Sequence, residues 1–445
     1  MITGKESRPV IRTPIPGPEA KRIVEKDQRY IATTTKTAPI AAKVARGAIV
    51  EDVDGNILLD FTSGIGVLNV GHAHPKVTEA IAAQAQKFTH FAGTDFYYDV
   101  QAELAKRLTE IAPGDFAKKV FFANSGAEAN EAAMKVARWS TGRKQFLAFL
   151  GAFHGRTGGA LSLTASKVVQ KARFFPTVPG VTHVPYAYCY RCPYKLTYPS
   201  CNFHCVKIID EAWLHQLVPP DEVAAMFVEP VQGEGGYIVP PPGYLKELRK
   251  LCDKYGILLA MDEVQTGFGR TGTWFASEHD KVAPDIMAVA KGIASGMPMG
   301  GAIYRADLDF GVQGAHSNTY GGNPVAAAAA LATMDVIKSE KLLENANKVG
   351  ERLGKRLREL AEVHAKIGDV RGVGLMWATE YVKDRATKEP AVEYRNRVVD
   401  NAFARGLLLL PCGPSGIRYI PPLNVTKEQV DAACDILDQS MKAAG

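Results

Sequence analysis

Two short apolar runs constrain the fold of this 445-residue chain most. Each run leads to one ionisable side chain and then to a glycine-containing turn. The first runs from Leu258 to Asp262, and the second, residues 286–290, is followed directly by Lys291. Runs of this length and composition are typical of strands that are buried on both faces. Because an α/β sheet binds its ligands at the carboxyl ends of such strands, the sequence predicts that Asp262 and Lys291 lie together at that edge.

A third stretch predicts a phosphate site. Strand-like residues 120–123 lead through Ser125, Gly126 and Ala127 into a strong helix pattern. The first N–H groups of a helix have no intrahelical acceptor, and the helix dipole adds positive charge, so this turn suits a phosphate. Taken alone, each of the three motifs is more often an ordinary strand end or helix start. Together they favour pyridoxal 5′-phosphate, which needs a lysine for its aldehyde and an acid for its pyridine nitrogen.

With these motifs in chain order, the sequence resembles the class III aminotransferases of the ω-amino-acid type, and within them the 4-aminobutyrate aminotransferases. Phe153-His-Gly-Arg156 and the stretches 229–236 and 316–324 fit the same pattern. The resemblance extends from about Ile49 to the C-terminus. It implies pyridoxal-phosphate fold type I, an α/β fold with a mostly parallel central sheet and a smaller α+β lobe built from both chain ends.

We therefore expect three segments: an N-terminal arm and hairpin over residues 1–75 that joins the small lobe, a large cofactor-binding domain over 76–330, and a C-terminal small domain over 331–445. Residues 1–30, rich in proline and charge, predict an arm or linker. The strands predicted from apolar runs are 119–123, 145–150, 224–229, 258–262, 286–290, 300–304, 373–378 and 407–410, with a hairpin turning at Asp54-Gly55.

Two helices are predicted in the C-terminal part of the chain. One carries an apolar stripe at helical spacing, made by Leu342, Ala346, Val349, Leu353, Leu357 and Leu360. The last helix should begin with a capping box that pairs Thr426 with Gln429.

The resemblance also implies a role for each cofactor residue. Lys291 would bind the cofactor aldehyde covalently and then move the substrate proton, and Asp262 would keep the pyridine nitrogen protonated. Gln265 would hydrogen-bond the ring oxygen, and Phe153 would stack on the ring. Thr319 would reach the phosphate from a neighbouring subunit, which makes the working unit a homodimer or a dimer of dimers with shared active sites. The implied cofactor residues are Ser125, Gly126, Ala127, Phe153, His154, Glu229, Asp262, Val264, Gln265, Lys291 and Thr319.

Four further residues are implied in substrate binding. Ile65 would line the substrate pocket from a glycine-rich loop, and Arg156 would bind a carboxylate far from the reacting amine. Arg418 would bind the α-carboxylate of glutamate or 2-oxoglutarate, and Glu234 would pair with that arginine when the substrate has no such carboxylate. A buried guanidinium without a partner is costly, and a movable acid avoids this cost. Arginine suits the role because its fork matches a carboxylate in two hydrogen bonds.

The function that follows is pyridoxal-phosphate-dependent transfer of an amino group from an ω-amino acid, 4-aminobutyrate-like or ornithine-like, to 2-oxoglutarate, in a ping-pong cycle through pyridoxamine phosphate. Amino-acid racemisation on the same scaffold is the alternative, because both reactions pass through the same carbanion. A non-catalytic protein on this fold would be expected to lack Lys291 or Asp262, and both residues are present.

Bulk properties exclude other classes of protein. A net charge of +6 without a basic block gives no case for binding nucleic acid or an anionic membrane. A hydrophobic content of 46% is ordinary for a globular enzyme, and the longest apolar run is too short to span a bilayer. No apolar signal segment opens the sequence, so the expected location is cytoplasmic and the expected partners are small-molecule amino and oxo acids.

Four of the seven cysteines fall together as Cys189, Cys192, Cys201 and Cys205. This spacing suits a structural metal site, and disulfides are an equal competitor, with free thiols the third alternative. No metal is assigned to the active site. Cys252, Cys412 and Cys434 are predicted to be packed core thiols.

Overall fold

The computed structural model describes residues 2–36 and 38–445. The chain divides into two compact units, one of residues Lys76–Leu343 and the other of Met1–Pro75 together with Glu344–Gly445. The boundary expected near residue 330 falls inside a helix, Pro324–Ser339, and the division comes just after that helix.

The α-helices are α1 (Pro18–Tyr30), α2 (Ser63–Gly66), α3 (Pro75–Lys87), α4 (Asp99–Ile111), α5 (Gly126–Thr141), α6 (Gly158–Leu163), α7 (His204–Ile208), α8 (Tyr244–Tyr255), α9 (Pro324–Ser339), α10 (Leu342–Val363), α11 (Val392–Ala404) and α12 (Lys427–Ala444). A π-helical segment, Ile209–Leu217, continues α7.

The strands are β1 (Ala42–Arg46), β2 (Ile49–Asp52), β3 (Ile57–Asp60), β4 (Lys118–Ala123), β5 (Gln145–Phe149), β6 (Val181–Val184), β7 (Val223–Val228), β8 (Leu258–Asp262), β9 (Ile286–Val289), β10 (Gly300–Arg305), β11 (Ile367–Val373), β12 (Met376–Tyr381), β13 (Leu407–Leu408), β14 (Leu410–Cys412) and β15 (Gly416–Tyr419).

The larger unit contains a seven-stranded sheet in the order β4-β10-β9-β8-β7-β5-β6. Strand β10 pairs antiparallel with both of its neighbours, and the remaining pairs are parallel, so the sheet is mostly parallel as predicted. Every residue of β7, β8 and β9 is buried. The continuous apolar runs in the sequence follow from this burial on both faces.

The smaller unit contains two four-stranded sheets, β1-β2-β3-β13 and β11-β12-β15-β14. Strand β13 from the C-terminal part pairs parallel with β3, with Leu407 opposite Leu59. The predicted stripe on α10 is buried along its length, and the predicted capping box of Thr426 and Gln429 opens α12. The hairpin predicted around Asp54-Gly55 is the antiparallel pair β2 and β3.

Three predictions about local structure were wrong. Residues 18–30 of the expected arm form helix α1, with Pro18 in its first turn, although Ala20 is its one buried residue. Proline is favoured at the start of a helix because its missing N–H has no intrahelical partner there. The strand predicted over 373–378 spans the turn at Gly374 between β11 and β12, and residues 407–410 belong to two short strands, β13 and β14.

Candidate active site

Strands β8 and β9 bring the predicted acid and lysine to one edge of the sheet. The two strands are parallel, and Asp262 lies opposite Ala288. Lys291 follows β9 after Ala290, and its backbone has a left-handed φ of 47°. A non-glycine residue is uncommon in this region, so the chain turns sharply at the point where it presents the lysine. The predicted edge position of both residues is confirmed.

The carboxylate of Asp262 is held by three donors. Its Oδ2 accepts hydrogen bonds from Asn130 Nδ2 and from His154 Nδ1, each at 2.8 Å, and its Oδ1 accepts one from Val264 N at 3.0 Å. Asp262 is only 4% exposed and His154 only 2% exposed. Three donors hold this buried carboxylate in one orientation, and a carboxylate can accept a hydrogen bond from the protonated nitrogen of a pyridine ring.

Glu229 is a second acid whose charge acts on His154. Burial alone would lower the pKa of His154, but the hydrogen bond and the charge of Asp262, with the charge of Glu229, raise it above its ordinary value. Burial raises the pKa of Glu229 to about 7, and the charge of Asp262 adds to this shift. Glu229 accepts hydrogen bonds from Phe153 N and Gly233 N, each at 2.9 Å. Glu229 therefore fixes the backbone of Phe153, the residue predicted to stack on the cofactor ring.

The predicted phosphate cradle is the N-terminus of α5. Ser125 is the N-cap, and its Oγ accepts from Glu128 N at 3.2 Å. This leaves the N–H groups of Gly126 and Ala127, the first two helical residues, for a ligand. A Cβ on Gly126 would lie 2.8 Å from Val264 Cγ1, and one on Gly300 would lie 2.4 Å from Ser125 O. Both glycines are therefore needed for the close packing behind the cradle.

Two further residues of the cluster were not predicted from the sequence. Asn130 lies one turn after Gly126 on an alanine-rich, buried face of α5. A polar residue on such a face could have indicated from the sequence that Asn130 belongs to the site. Tyr237 donates from its hydroxyl to Gln265 Oε1 at 2.6 Å and orients the side chain predicted to meet the ring oxygen. Nothing in the local sequence pattern connects Tyr237 with Gln265, which are 28 positions apart.

Two of the predicted substrate residues lie in the larger unit with the cofactor residues. The guanidinium of Arg156 lies 5.7 Å from the centre of the Phe153 ring, and the side chain of Arg156 is exposed. Glu234 Oε1 lies 2.6 Å from Lys167 Nζ, a partner that was not predicted. The other two residues belong to the smaller unit. Ile65 lies on α2 with a left-handed φ of 67°, and Arg418 lies on β15 opposite Ala378.

Thr319 lies in the exposed turn that precedes α9. The turn is fixed by Asn318, whose Nδ2 donates to Phe122 O at 2.7 Å, and by Asn323, whose Oδ1 caps α9 by accepting from Ala326 N. The structure thus presents Thr319 on a rigid, outward-facing turn of the larger unit.

All seven cysteines are free thiols. Cys189, Cys192, Cys201 and Cys205 line one small cavity of about 20 Å³. Burial, with the charges of its three neighbours, raises the pKa of Cys205 to about 12. Within residues 2–36 and 38–445, no group of three or more histidine, cysteine or acidic side chains is arranged to hold a metal ion. The remaining three cysteines are buried, as predicted for core thiols.

Comparison with known proteins assigns the family. The model of the class-III aminotransferase family matches residues 30–441. The chain belongs to the class III aminotransferases. The predicted family and fold are thereby confirmed, and pyridoxal phosphate is the cofactor of this class of enzyme.

Relatives of this class III aminotransferase differ in the reaction they catalyse. The chain is 43% identical to the acetylornithine aminotransferase of Methanosarcina mazei, with 94% of this chain and 96% of that protein covered. It is 41% identical to the alanine/serine racemase of Pyrococcus horikoshii, with 96% and 91% covered. It is also 41% identical to the 4-aminobutyrate aminotransferase of Escherichia coli, with 91% and 94% covered.

A solved structure agrees with the fold of this class III aminotransferase. The amine transaminase from an uncultivated Pseudomonas species, in a form with pyridoxal phosphate bound, superposes with a TM-score of 0.87 at 33% identity, covering 94% of this chain and 98% of that one. Among the described residues, no helix has the length and apolar character needed to cross a membrane.

The geometry of the larger unit fits the cofactor of the family. One unit contains three matching groups: a carboxylate held by three donors, a lysine at the end of the adjacent strand, and a helix N-terminus. This N-terminus is packed too closely to accept a side chain at Gly126 or Gly300. These groups match a pyridine nitrogen, an aldehyde and a phosphate, respectively.

Proposed function

We propose that the enzyme transfers an amino group from an ω-amino acid, 4-aminobutyrate-like or ornithine-like, to 2-oxoglutarate. The observation that carries this proposal is the guanidinium of Arg156, which lies beside Phe153, the side chain proposed to stack on the cofactor ring. A cation beside the Phe153 side chain suits a substrate whose carboxylate is several bonds away from its reacting amine. Alanine and serine have no such distal carboxylate.

Bound pyridoxal phosphate supplies the electron sink for the carbanion. The residues of this chain hold it and move the proton. Asp262, oriented by His154, Asn130 and Val264 N, holds the proton on the pyridine nitrogen. Lys291 carries the substrate proton on its amine, from the strand end next to Asp262. Ser125, Gly126 and Ala127 bind the phosphate, and Gln265, oriented by Tyr237, donates to the ring oxygen.

Further roles are proposed on the resemblance to the family. Arg156 binds the distal carboxylate of the donor and Arg418 binds the α-carboxylate of 2-oxoglutarate. Glu234 is the movable acid that pairs with the arginine during the ω-amine half-reaction, and Ile65 contacts the substrate. Val264 contacts the ring, and its close packing on Gly126 supports this role.

We further propose that the working unit is a homodimer, or a dimer of dimers, in which Thr319 binds the phosphate of the partner's cofactor. An aromatic patch supports this: Phe91, Phe96, Tyr97 and Tyr320 are 50%, 54%, 99% and 62% exposed. Such a patch is unusual on a monomer and typical of an interface. Thr319 is next to Tyr320, so a second copy that covers the patch also covers Thr319. The seven free thiols support the expected cytoplasmic location, because that compartment is reducing.

Amino-acid racemisation is the second candidate, and the identity with the alanine/serine racemase favours it. The carbanion is common to both reactions, so Lys291 and Asp262 serve either one. Racemisation also requires that a proton return to the opposite face of the same carbon.

A paired assay on the holoenzyme separates the two functions. First, 4-aminobutyrate or L-ornithine is added without an oxo acid, and the absorbance of the cofactor is followed. Conversion to the amine form of the cofactor, reversed by 2-oxoglutarate, is the expected result. Second, single enantiomers of several amino acids are added, and chirality is followed. Loss of optical activity without an oxo acid, and without the amine form of the cofactor, would show a racemase instead.

Within the transaminase, the Glu234→Ala enzyme tests the proposed movable acid. It should lose more activity in the ω-amine half-reaction than in the glutamate half-reaction. Equal losses would count against the proposed role.

A further inference from the structure

The ion pair between Lys167 and Glu234 is not explained by the roles given above. Lys167 Nζ lies 2.6 Å from Glu234 Oε1, and the two side chains are 38% and 20% exposed. Glu234 is therefore shielded from water over most of its surface, and a carboxylate in such a position needs a cation or donor nearby.

The segments that carry Lys167 and Glu234 both form hydrogen bonds with residues 150–152. On the lysine side, Ala165 N donates to Ala152 O at 2.7 Å and Gly151 N donates to Ala165 O at 3.1 Å. On the glutamate side, Gln232 Nε2 donates to Leu150 O at 2.8 Å. Residues 150–152 thus hold the chain two positions before Lys167 and two positions before Glu234, and they lead directly into Phe153.

The turn that carries Glu234 is closely packed on this anchor. A Cβ on Gly235 would lie 2.4 Å from Gly151 O. The turn is closed by Gly236 N, which donates to Gly233 O at 3.1 Å, and Gly233 N is held by Glu229. Because the backbone on either side is fixed, a change in the position of the Glu234 carboxylate has to come from side-chain rotation. Lys167 meets that carboxylate with a flexible four-carbon stem, so its charged end can follow the carboxylate as the Glu234 side chain rotates.

We propose that Lys167 is a specificity-determining, positioning residue that receives the Glu234 carboxylate when 2-oxoglutarate or glutamate occupies the α-carboxylate site. This inference rests on the proposed function. When the substrate brings its own α-carboxylate, Glu234 has to give up its place to it. The ammonium of Lys167 then keeps the displaced acid paired, which lowers the cost of binding the dicarboxylate substrate. The ω-amine half-reaction does not displace Glu234, so it gains nothing from Lys167.

The test measures the two half-reactions of the holoenzyme separately, by the absorbance of the cofactor, in Lys167→Met. We expect the apparent affinity for 2-oxoglutarate to weaken about twofold to fivefold, which is the upper part of the range for one exposed ion pair. The apparent affinity for the ω-amine donor should change less than about twofold on the same scale. The maximal rates of both half-reactions should stay close to those of the wild type, because Lys167 touches no reacting atom.

Three further variants make the result specific. Lys167→Arg keeps the charge and should restore most of the affinity for 2-oxoglutarate. Arg173→Met removes an exposed cation from the same segment and should change neither half-reaction. Lys167→Met combined with Glu234→Gln should cost less than the sum of the two single changes, because residues that act through each other are not additive.

Equal weakening of both half-reactions, failure of Lys167→Arg to restore affinity, or additive effects with Glu234→Gln would each overturn the inference. A wild-type enzyme that fails to react with 2-oxoglutarate would overturn the proposed function, and this inference with it. A wild type that reacts, together with an unchanged Lys167→Met enzyme, would overturn this inference alone.

Discussion

The ring Nδ1 of His154 donates to Oδ2 of Asp262 across 2.8 Å, and both side chains are buried. Asp262 is at the end of β8, whereas His154 is in the loop after β5, so two strands of one sheet build this contact. The pair places a buried histidine, whose pKa is raised by its partner, behind the acid proposed to meet the pyridine nitrogen.

Replacement of that histidine should slow catalysis without unfolding the enzyme. His154→Phe keeps an aromatic ring but removes one of the three donors to Asp262. A hydrogen bond to a charged group contributes about 1.5–3 kcal/mol, so we expect kcat to fall about tenfold to a hundredfold. The measurement is steady-state kinetics, with circular dichroism to confirm folding. The matched control is His183→Phe, since His183 bonds to Leu163 O and not to Asp262. Similar losses in both variants would contradict the role given to His154.

Glu229 should make the stability of the enzyme fall as the pH rises. Its pKa is about 7 in the folded chain, raised by burial from 4.5. Between these two values the folded state holds a proton that the unfolded state has released, so the free energy of unfolding decreases with increasing pH. A shift of this size corresponds to a loss on the order of 3 kcal/mol, complete above the folded pKa.

The measurement is the thermal midpoint of the holoenzyme from acidic to mildly alkaline pH, for the wild type and for Glu229→Gln. The wild-type profile should fall more steeply with pH across the range between the two pKa values, because glutamine does not titrate. Glu278→Gln, at a helix-capping acid elsewhere in the unit, should keep the wild-type slope. Parallel profiles for the wild type and Glu229→Gln would show that Glu229 does not titrate in this range.

The phosphate cradle should not tolerate a methyl group at Gly300. Its added Cβ would lie 2.4 Å from the backbone oxygen of Ser125, which cannot move without shifting the start of α5. We expect Gly300→Ala to weaken cofactor binding at least tenfold and to cost about 1–3 kcal/mol of stability. Gly158→Ala is the matched control, because its Cβ would meet Val178 at an ordinary 3.7 Å. Cofactor affinity is measured by titration of the apoenzyme, and equal affinities in the two variants would contradict the prediction.

The aromatic patch should hold the proposed dimer together. Tyr97→Glu combined with Phe96→Glu puts two charges into a surface that would be desolvated on association, so we expect dissociation to monomers at micromolar concentration. Light scattering after gel filtration measures the mass, and activity should be lost in parallel if Thr319 acts across the interface. Val363→Glu, at a 74% exposed position on α10, is the control. An unchanged mass in the double variant would place any interface elsewhere.

The fold was predictable wherever the signal is local. The run Leu258–Asp262 is a strand with the predicted bounds, and the stripe on α10 and the cap at Thr426 follow the same periodic or short-range rules. Helix α1 was missed because its proline-rich surroundings favoured a linker, although Pro18 stands where helices accept proline.

The site was predictable as a set of strand ends and a helix start, and the contacts between its members were not. His154 meets Asp262 across 108 positions, and Lys167 meets Glu234 across 67. No spacing rule relates residues so far apart, since their distance depends on the order of strands in the sheet. Chemistry-bearing residues are visible in a sequence, but the partners that orient them depend on tertiary packing.

The pairing of β13 with β3 has a consequence for the order of folding during synthesis. Leu59 and Leu407 are adjacent in a sheet but separated by the whole of the larger unit in the chain. Strand β3 therefore cannot pair with β13 until the ribosome has made nearly the entire protein. The larger unit, in contrast, has all of its own strands much earlier. Nascent chains that end between the two units should contain the complete seven-stranded sheet and an N-terminal sheet whose β3 edge is still open to pairing with another strand.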